Sequence, residues 1–113
     1  MQNLEQIRAA NAHSKAGDLK RAAVSKLPAM ILANGLLATA AFCEAGGDSR
    51  KEMKTAMDHT ATHLAARGMI KNLSGKTEDL IRDLSKGDSI HLQRATSEAL
   101  AFISYLKRFA KQK

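Results

Sequence analysis

The chain has 113 residues, 18 basic and 11 acidic side chains and a net charge of +7, enough for one domain, residues 1–113, with a core of its own. A single cysteine, Cys43, excludes an internal disulfide framework and makes a reducing compartment the default. With 4% aromatic residues and abundant alanine, closely packed helices are expected rather than a sheet.

Residues 2–16, rich in Ala, Gln and Glu, read as a helix with a weak apolar stripe. Arg8 and Lys15 are seven residues apart and share a face. Glu5 and Arg8 interrupt this segment, so it lacks the continuous apolar core of a secretion signal, and a cytoplasmic protein is expected. Gly17-Asp18 ends or kinks the helix ahead of the basic pair Lys20-Arg21.

From Leu27 to Cys43 no residue is charged, and the apolar residues fall all round the helical wheel. A helix of that kind is expected at the centre of the fold, over about residues 26–45. Its length is at the lower limit for a bilayer span, and Asn34, Gly35 and Thr39 argue further against one. Ser25 is expected to cap its start, with Pro28 in the first turn, and Gly46-Gly47 to close it in a left-handed cap. Asn34-Gly35 often marks a turn. Here the apolar pattern continues across it, and close approach of another helix at Gly35 is expected instead of a break.

Ser49-Arg50-Lys51-Glu52 has the capping-box spacing. The helix that follows should bury Met53, Ala56, Met57, Thr60, Ala61 and Leu64 and end at Gly68. Glu52, His59 and His63 line one flank of it. Two histidines at i and i+4 can hold one metal ion, but Glu52 lies two turns from His59 and no His-Glu-x-x-His pattern is present. A solvated flank, and no metal site, is the expectation. Ile70 and Leu73 anchor the connector up to Ser74-Gly75, and Thr77 caps a short helix carrying Leu80, Ile81 and Leu84 that ends at Gly87.

Asp88-Ser89 starts the last helix, expected over Ile90 to Ala110. Leu92, Ala95, Ala99, Phe102, Ile103, Leu106, Phe109 and Ala110 form its buried stripe. Arg94, Ser97, Ala101, Ser104, Arg108 and Lys111 form the opposite face. Residues 89–113 hold five basic side chains against Glu98 alone, so the positive charge is concentrated there. Cations separated by small side chains suit a phosphate backbone, and equally an acidic protein surface. Membrane binding is disfavoured, because the apolar stripe is needed for the core. The short-helix, glycine, long-helix order of residues 78–108 leaves a helix-turn-helix DNA-binding regulator as the alternative. No nucleophile–base spacing, phosphate-binding glycine loop or zinc pattern is found, and no cofactor is expected.

Two stretches carry a family resemblance. Leu27-Pro28-Ala29-Met30-Ile31-Leu32-Ala33-Asn34-Gly35-Leu36, with the alanine-rich run to Phe42, is the first. The second is Ala95-Thr96-Ser97-Glu98-Ala99-Leu100-Ala101-Phe102-Ile103-Ser104-Tyr105-Leu106-Lys107-Arg108-Phe109-Ala110. Both resemble the small helical subunit of the type III-B CRISPR effector, the Cmr complex, and Asn3 to Ala10 is compatible with it. Residues 46–88 add nothing specific.

The resemblance implies a compact all-α protein without nuclease activity. Several copies would line up beside the backbone subunits that hold the guide RNA, forming the filament along which target RNA pairs. Cleavage in such a complex belongs to other subunits. The expectation is therefore an all-α bundle of five or six helices that contacts the RNA backbone and neighbouring subunits. Arg94, Lys107, Arg108 and Lys111 are the first candidates for RNA contact, and Arg8 and Lys15 the second. With few aromatics for stacking, no readout of base identity is expected.

Overall fold

A computed structural model describes residues 2–17, 19–71 and 76–111. The expected all-α bundle of five or six helices is present, with six among the described residues: α1 (Leu4–Ala16), α2 (Arg21–Asn34), α3 (Leu36–Ala45), α4 (Lys51–Ala66), α5 (Thr77–Lys86) and α6 (Ser89–Phe109). A 3₁₀ turn, Asp48–Arg50, leads into α4. Asp18, the connector residues Leu73, Ser74 and Gly75, and the C-terminal pair lie outside the described residues.

Helix α4 touches all five other helices, and the longest helix, α6, makes the most extensive pairings. Helix α6 packs on α1, α2 and α4, while α3 is held by α2, α4 and α5. Ala95, Ala99, Phe102, Ile103 and Leu106 of α6 are fully buried, as are Leu27, Leu36, Ala56, Met57, Leu64 and Leu80 from the surrounding helices. Each large aliphatic or aromatic side chain in this set contributes about 1.5–3 kcal/mol by leaving water. The small alanines of α6 let the neighbouring helices come close.

The apolar run 26–45 is not one helix. Gly35 breaks it, with φ 93° and ψ 160°, a conformation that favours glycine because it brings a Cβ against the backbone. A Cβ at Gly35 would meet nothing within 4 Å, so backbone geometry, not a close neighbour, requires the glycine. The run is also not buried on every side. Leu27, Ile31, Leu36, Ala40 and Cys43 face the core, whereas Leu32 is 76% exposed and Ala29, Ala33 and Ala41 are exposed too. Alanine counts as apolar on a wheel but loses little by facing water.

Three local expectations are displaced by long-range partners. Helix α2 starts at Arg21, not near Ser25, because Lys20 and Lys111 form a parallel backbone bridge that fixes the entry. Ser25 Oγ instead donates to the Arg21 carbonyl within the helix, and Pro28 lies mid-helix, where the Val24 carbonyl receives no N–H from it. Gly46 ends α3 with extended backbone, φ −75°, not a left-handed cap. The Ser49–Glu52 capping box does not form: α4 starts at Lys51 after the 3₁₀ turn, and Glu52 accepts the Lys20 backbone N–H at 2.8 Å.

Thr77 is the first residue of α5 and does not cap it; its N–H and hydroxyl both donate to Asp58 Oδ1, at 2.9 and 2.6 Å. Two caps are local. Asn3 and Gln6 form a reciprocal box at the start of α1, and Asp88 accepts from the His91 N–H at the start of α6.

Candidate nucleic-acid interface

The two sides of α6 divide as the heptad phase predicts, with three exceptions, of which Ala101, expected outward, is half-buried. Phe109 is 41% exposed and makes an edge contact with the His13 ring at 5.1 Å, and Leu92 is half-buried. On the outward side Arg94, Ser97, Ser104 and Arg108 are exposed, with Lys107 beside them and Lys111 just past the helix end. Fourteen residues at 1.5 Å per residue put Arg94 and Arg108 about 21 Å apart along the axis. Among the described residues, Arg94, Lys107 and Arg108 form no ion pair with a carboxylate. Their charge is therefore available to an external anion.

The C-terminal cluster is held by a residue that the sequence reading passed over. Arg21 donates from Nε to the Lys107 carbonyl at 3.1 Å and from Nη2 to the Arg108 carbonyl at 3.0 Å. The last carbonyls of a helix lack an intrahelical i+4 partner. Here the Ala110 N–H donates to the Lys107 carbonyl at 3.3 Å, and the Arg21 guanidinium adds to this cap and serves the Arg108 carbonyl. The Lys111 N–H donates to the Leu19 carbonyl at 2.8 Å, continuing the chain into the bridge with Lys20. Arg108 lies 5.8 Å from the Tyr105 ring centre, and the Tyr105 hydroxyl donates to Glu5 at 3.0 Å. That bond pushes the Tyr105 pKa up. Lys107, Arg108 and Lys111 thus extend from a fixed backbone.

Arg8 and Lys15 share a face of α1 but not an environment. Arg8 forms a two-pronged pair with Glu98, Nε to Oε2 at 2.8 Å and Nη2 to Oε1 at 2.7 Å. The Glu98 side chain is 4% exposed and that of Arg8 24%. Glu98 Oε2 also accepts from His63 Nε2 at 2.8 Å, and the Asn11 amide lies 2.9 Å from His63 Nδ1. With Asn11 donating to Nδ1, the ring proton sits on Nε2 and donates to Glu98. Phe102 stacks on the His63 ring, 4.4 Å between centres. One buried polar chain therefore ties α1, α4 and α6 together.

Burial holds the His63 pKa below its ordinary value, despite the neighbouring carboxylate. Burial works against charge on Glu98, but the Arg8 fork and the His63 N–H outweigh it and lower its pKa. The hydrogen bond to Glu98 raises the Arg8 pKa. Lys15 is exposed beside a small cavity of about 70 Å³ that His59, Asn11 and His63 also line. Burial, then the nearby Lys15 charge, lowers the His59 pKa.

The flank Glu52, His59 and His63 does not assemble into a ligand set. Glu52 is bound to the Lys20 backbone, and both ring nitrogens of His63 are engaged. No three His, Cys, Asp or Glu side chains gather for a metal ion among the described residues. Burial pushes the Cys43 thiol up to about 11, far from a reactive thiolate. No helix among the described residues is long and apolar enough to cross a membrane.

The helix-turn-helix alternative also loses its geometry. Helix α5 packs on α3 and α4 rather than on α6, whereas a DNA reader of that type needs its two helices packed as a unit.

The Arg8–Glu98–His63 chain was not foreseen, although one signal was present. Glu98 is flanked by the stripe residues Ala95, Ala99 and Phe102, which places it on the core side of the wheel. Arg21 gave no comparable sign, because its partners lie more than eighty residues away.

No curated protein and no solved structure matches the chain. Residues 2–113 match the family described as CRISPR-associated protein (Cas_Cmr5), a match that includes the central segment where the resemblance had nothing to add. The chain belongs to the Cas_Cmr5 family of CRISPR-associated proteins.

Proposed function

We propose that this protein is a non-catalytic small subunit of a type III-B CRISPR (Cmr) ribonucleoprotein, working in the cytoplasm in antiviral defence. It lines the channel of guide RNA and target RNA and meets the phosphate backbone through the outward face of α6. The observation that carries this reading is the set of cations without acid partners, Arg94, Lys107 and Arg108, on a helix whose other side is committed to the core. Lys111, exposed just past the helix end, extends the basic surface. Arg8 and Lys15 serve at the margin, since most of the Arg8 fork is bound to Glu98.

Phosphate contacts of this kind position a strand without reading its sequence. Neighbouring copies and the other Cmr subunits meet the uncharged surface around the α2–α3 elbow, where Leu32 and the hollow lined by Asn34, Leu37, Gln93 and Thr96 are open. No cofactor takes part.

The test is purification of the tagged protein from its native cells, with sequencing of the bound RNA. Repeat-derived guide RNA recovered together with larger Cmr subunits is the expected result. Recovery of the chain alone, or with chromosomal DNA, would overturn the proposal.

A further inference from the structure

A second hollow lies on the other flank of the α6 ridge, between α6, α1 and the turn after α4. It has an open volume of about 450 Å³, within the range of about 300–1,000 Å³ usual for small-ligand sites. Its lining is mixed: Ile90 and Met69 are apolar, Gln93 and Ser97 are neutral and polar, and Arg94 and Arg8 are cationic. Ile90 is 61% exposed and supplies, with Met69, the apolar part of the hollow's wall.

We infer that this hollow takes one unstacked nucleotide of an RNA strand, with the base against Ile90, Met69 and the Arg8 guanidinium and its phosphate on Arg94. The inference rests on the proposed RNA contact and deepens it.

Three features fit a nucleotide better than an acidic peptide. The carboxylate at the hollow, Glu98, is nearly inaccessible; its charge is balanced by Arg8 and its second oxygen is also held by the His63 Nε2–H, so it does not repel a phosphate. The same pair fixes the Arg8 plane, so a base can stack on it without first ordering a long side chain. Aliphatic and amide surface beside the cation of Arg94 matches the flat apolar faces and polar edges of a base and its phosphate, whereas a peptide carboxylate would use Arg94 and leave Ile90 and Met69 uncovered. Single-stranded RNA is commonly bound with bases splayed out onto aromatic rings or Arg planes. With few aromatics in the chain, Arg8 and Ile90 take that part here, and they do so without distinguishing one base from another.

The experiment measures binding of the full chain to a single-stranded oligouridylate and to the same oligonucleotide with abasic riboses. Anisotropy is followed over a range of salt concentration, with a polyglutamate peptide as competitor. The intact strand should bind at least about fivefold more tightly than the abasic strand, given the usual contribution of a stacked base. Ile90→Ala should remove that difference, and Arg94→Gln should weaken both strands and flatten the salt slope. Ile90 is exposed, so its replacement leaves the fold intact. Equal binding of the two strands, still salt-dependent, would overturn the hollow's role and leave the backbone contact standing. A base preference unchanged by Ile90→Ala would overturn the assignment of the base to this hollow. Competition by polyglutamate that Ile90→Ala abolishes would assign the hollow to a protein partner. Absence of any salt-dependent RNA binding would overturn both readings.

Discussion

Helix α6 carries charge on both sides, to opposite ends. Inward, Glu98 is enclosed by Arg8 and His63 and acts as a structural tie between three helices. Outward, Arg94, Lys107 and Arg108 have no acid partner among the described residues and remain open to solvent. The inward charge is valuable because it is fully paired; the outward charges because they are not. A charge in sequence does not declare which kind it is. The phase of the neighbouring apolar residues does.

A large contrast is expected from removing the inward acid. Glu98→Ala leaves Arg8 and His63 without their partner and should destabilise the fold by about 3 kcal/mol, as breaking a buried pair does. Arg94→Gln on the outward side should stay within about 0.5 kcal/mol. Urea unfolding of both variants measures this, and equal losses would break the comparison.

Apolar residues should show the same asymmetry. Phe102 is fully buried and stacked on His63, so Phe102→Ala should lose about 3–5 kcal/mol. Phe109, exposed near the helix end, should lose no more than about 1 kcal/mol when replaced by alanine. Thermal unfolding would read both.

Acid should weaken the inward side selectively. The His63 and Glu98 pKa values are both lowered on folding, so the unfolded chain binds more protons than the folded one in acid. The stability due to neutral His63 is complete above its ordinary value of 6.5 and declines as the pH falls below it. That due to ionised Glu98 begins to decline below its ordinary value of 4.5. His63→Gln should reduce the first part of the decline, leaving the share due to His59, whose pKa is also lowered by burial; the unfolding midpoint between pH 7 and pH 5 measures both.

A smaller effect is expected at the α2–α3 elbow. Gly35→Ala should destabilise by about 1–3 kcal/mol although the space is empty, because the penalty is in the backbone angles.

Much of this architecture was legible in the sequence. The helix at 2–16, the buried set of α4 and the stripe of α6 follow from spacing alone, and Asp88 caps α6 where expected. Gly35 was legible in part, since Asn34-Gly35 is a turn signal. The unbroken apolar run outweighed it, because alanine reads as core on a wheel yet is content at the surface. The start of α2, the duty of Glu52 and the clamp by Arg21 were not legible. Each depends on a partner far along the chain, Lys111, Lys20 and the end of α6 respectively. For the candidate interface, the outward placement of Arg94, Lys107 and Arg108 was readable from phase. The engagement of Arg8 required the fold.

The outward cations are expected to act directly on phosphates. The measurement is the salt dependence of single-stranded RNA affinity for the protein and for a Lys107→Gln, Arg108→Gln double variant. Each phosphate contact contributes about 0.7 to the log–log slope, so the variant's slope should be shallower by about 1.4. Two superimposable slopes, or a flat dependence in the parent protein, would contradict the account.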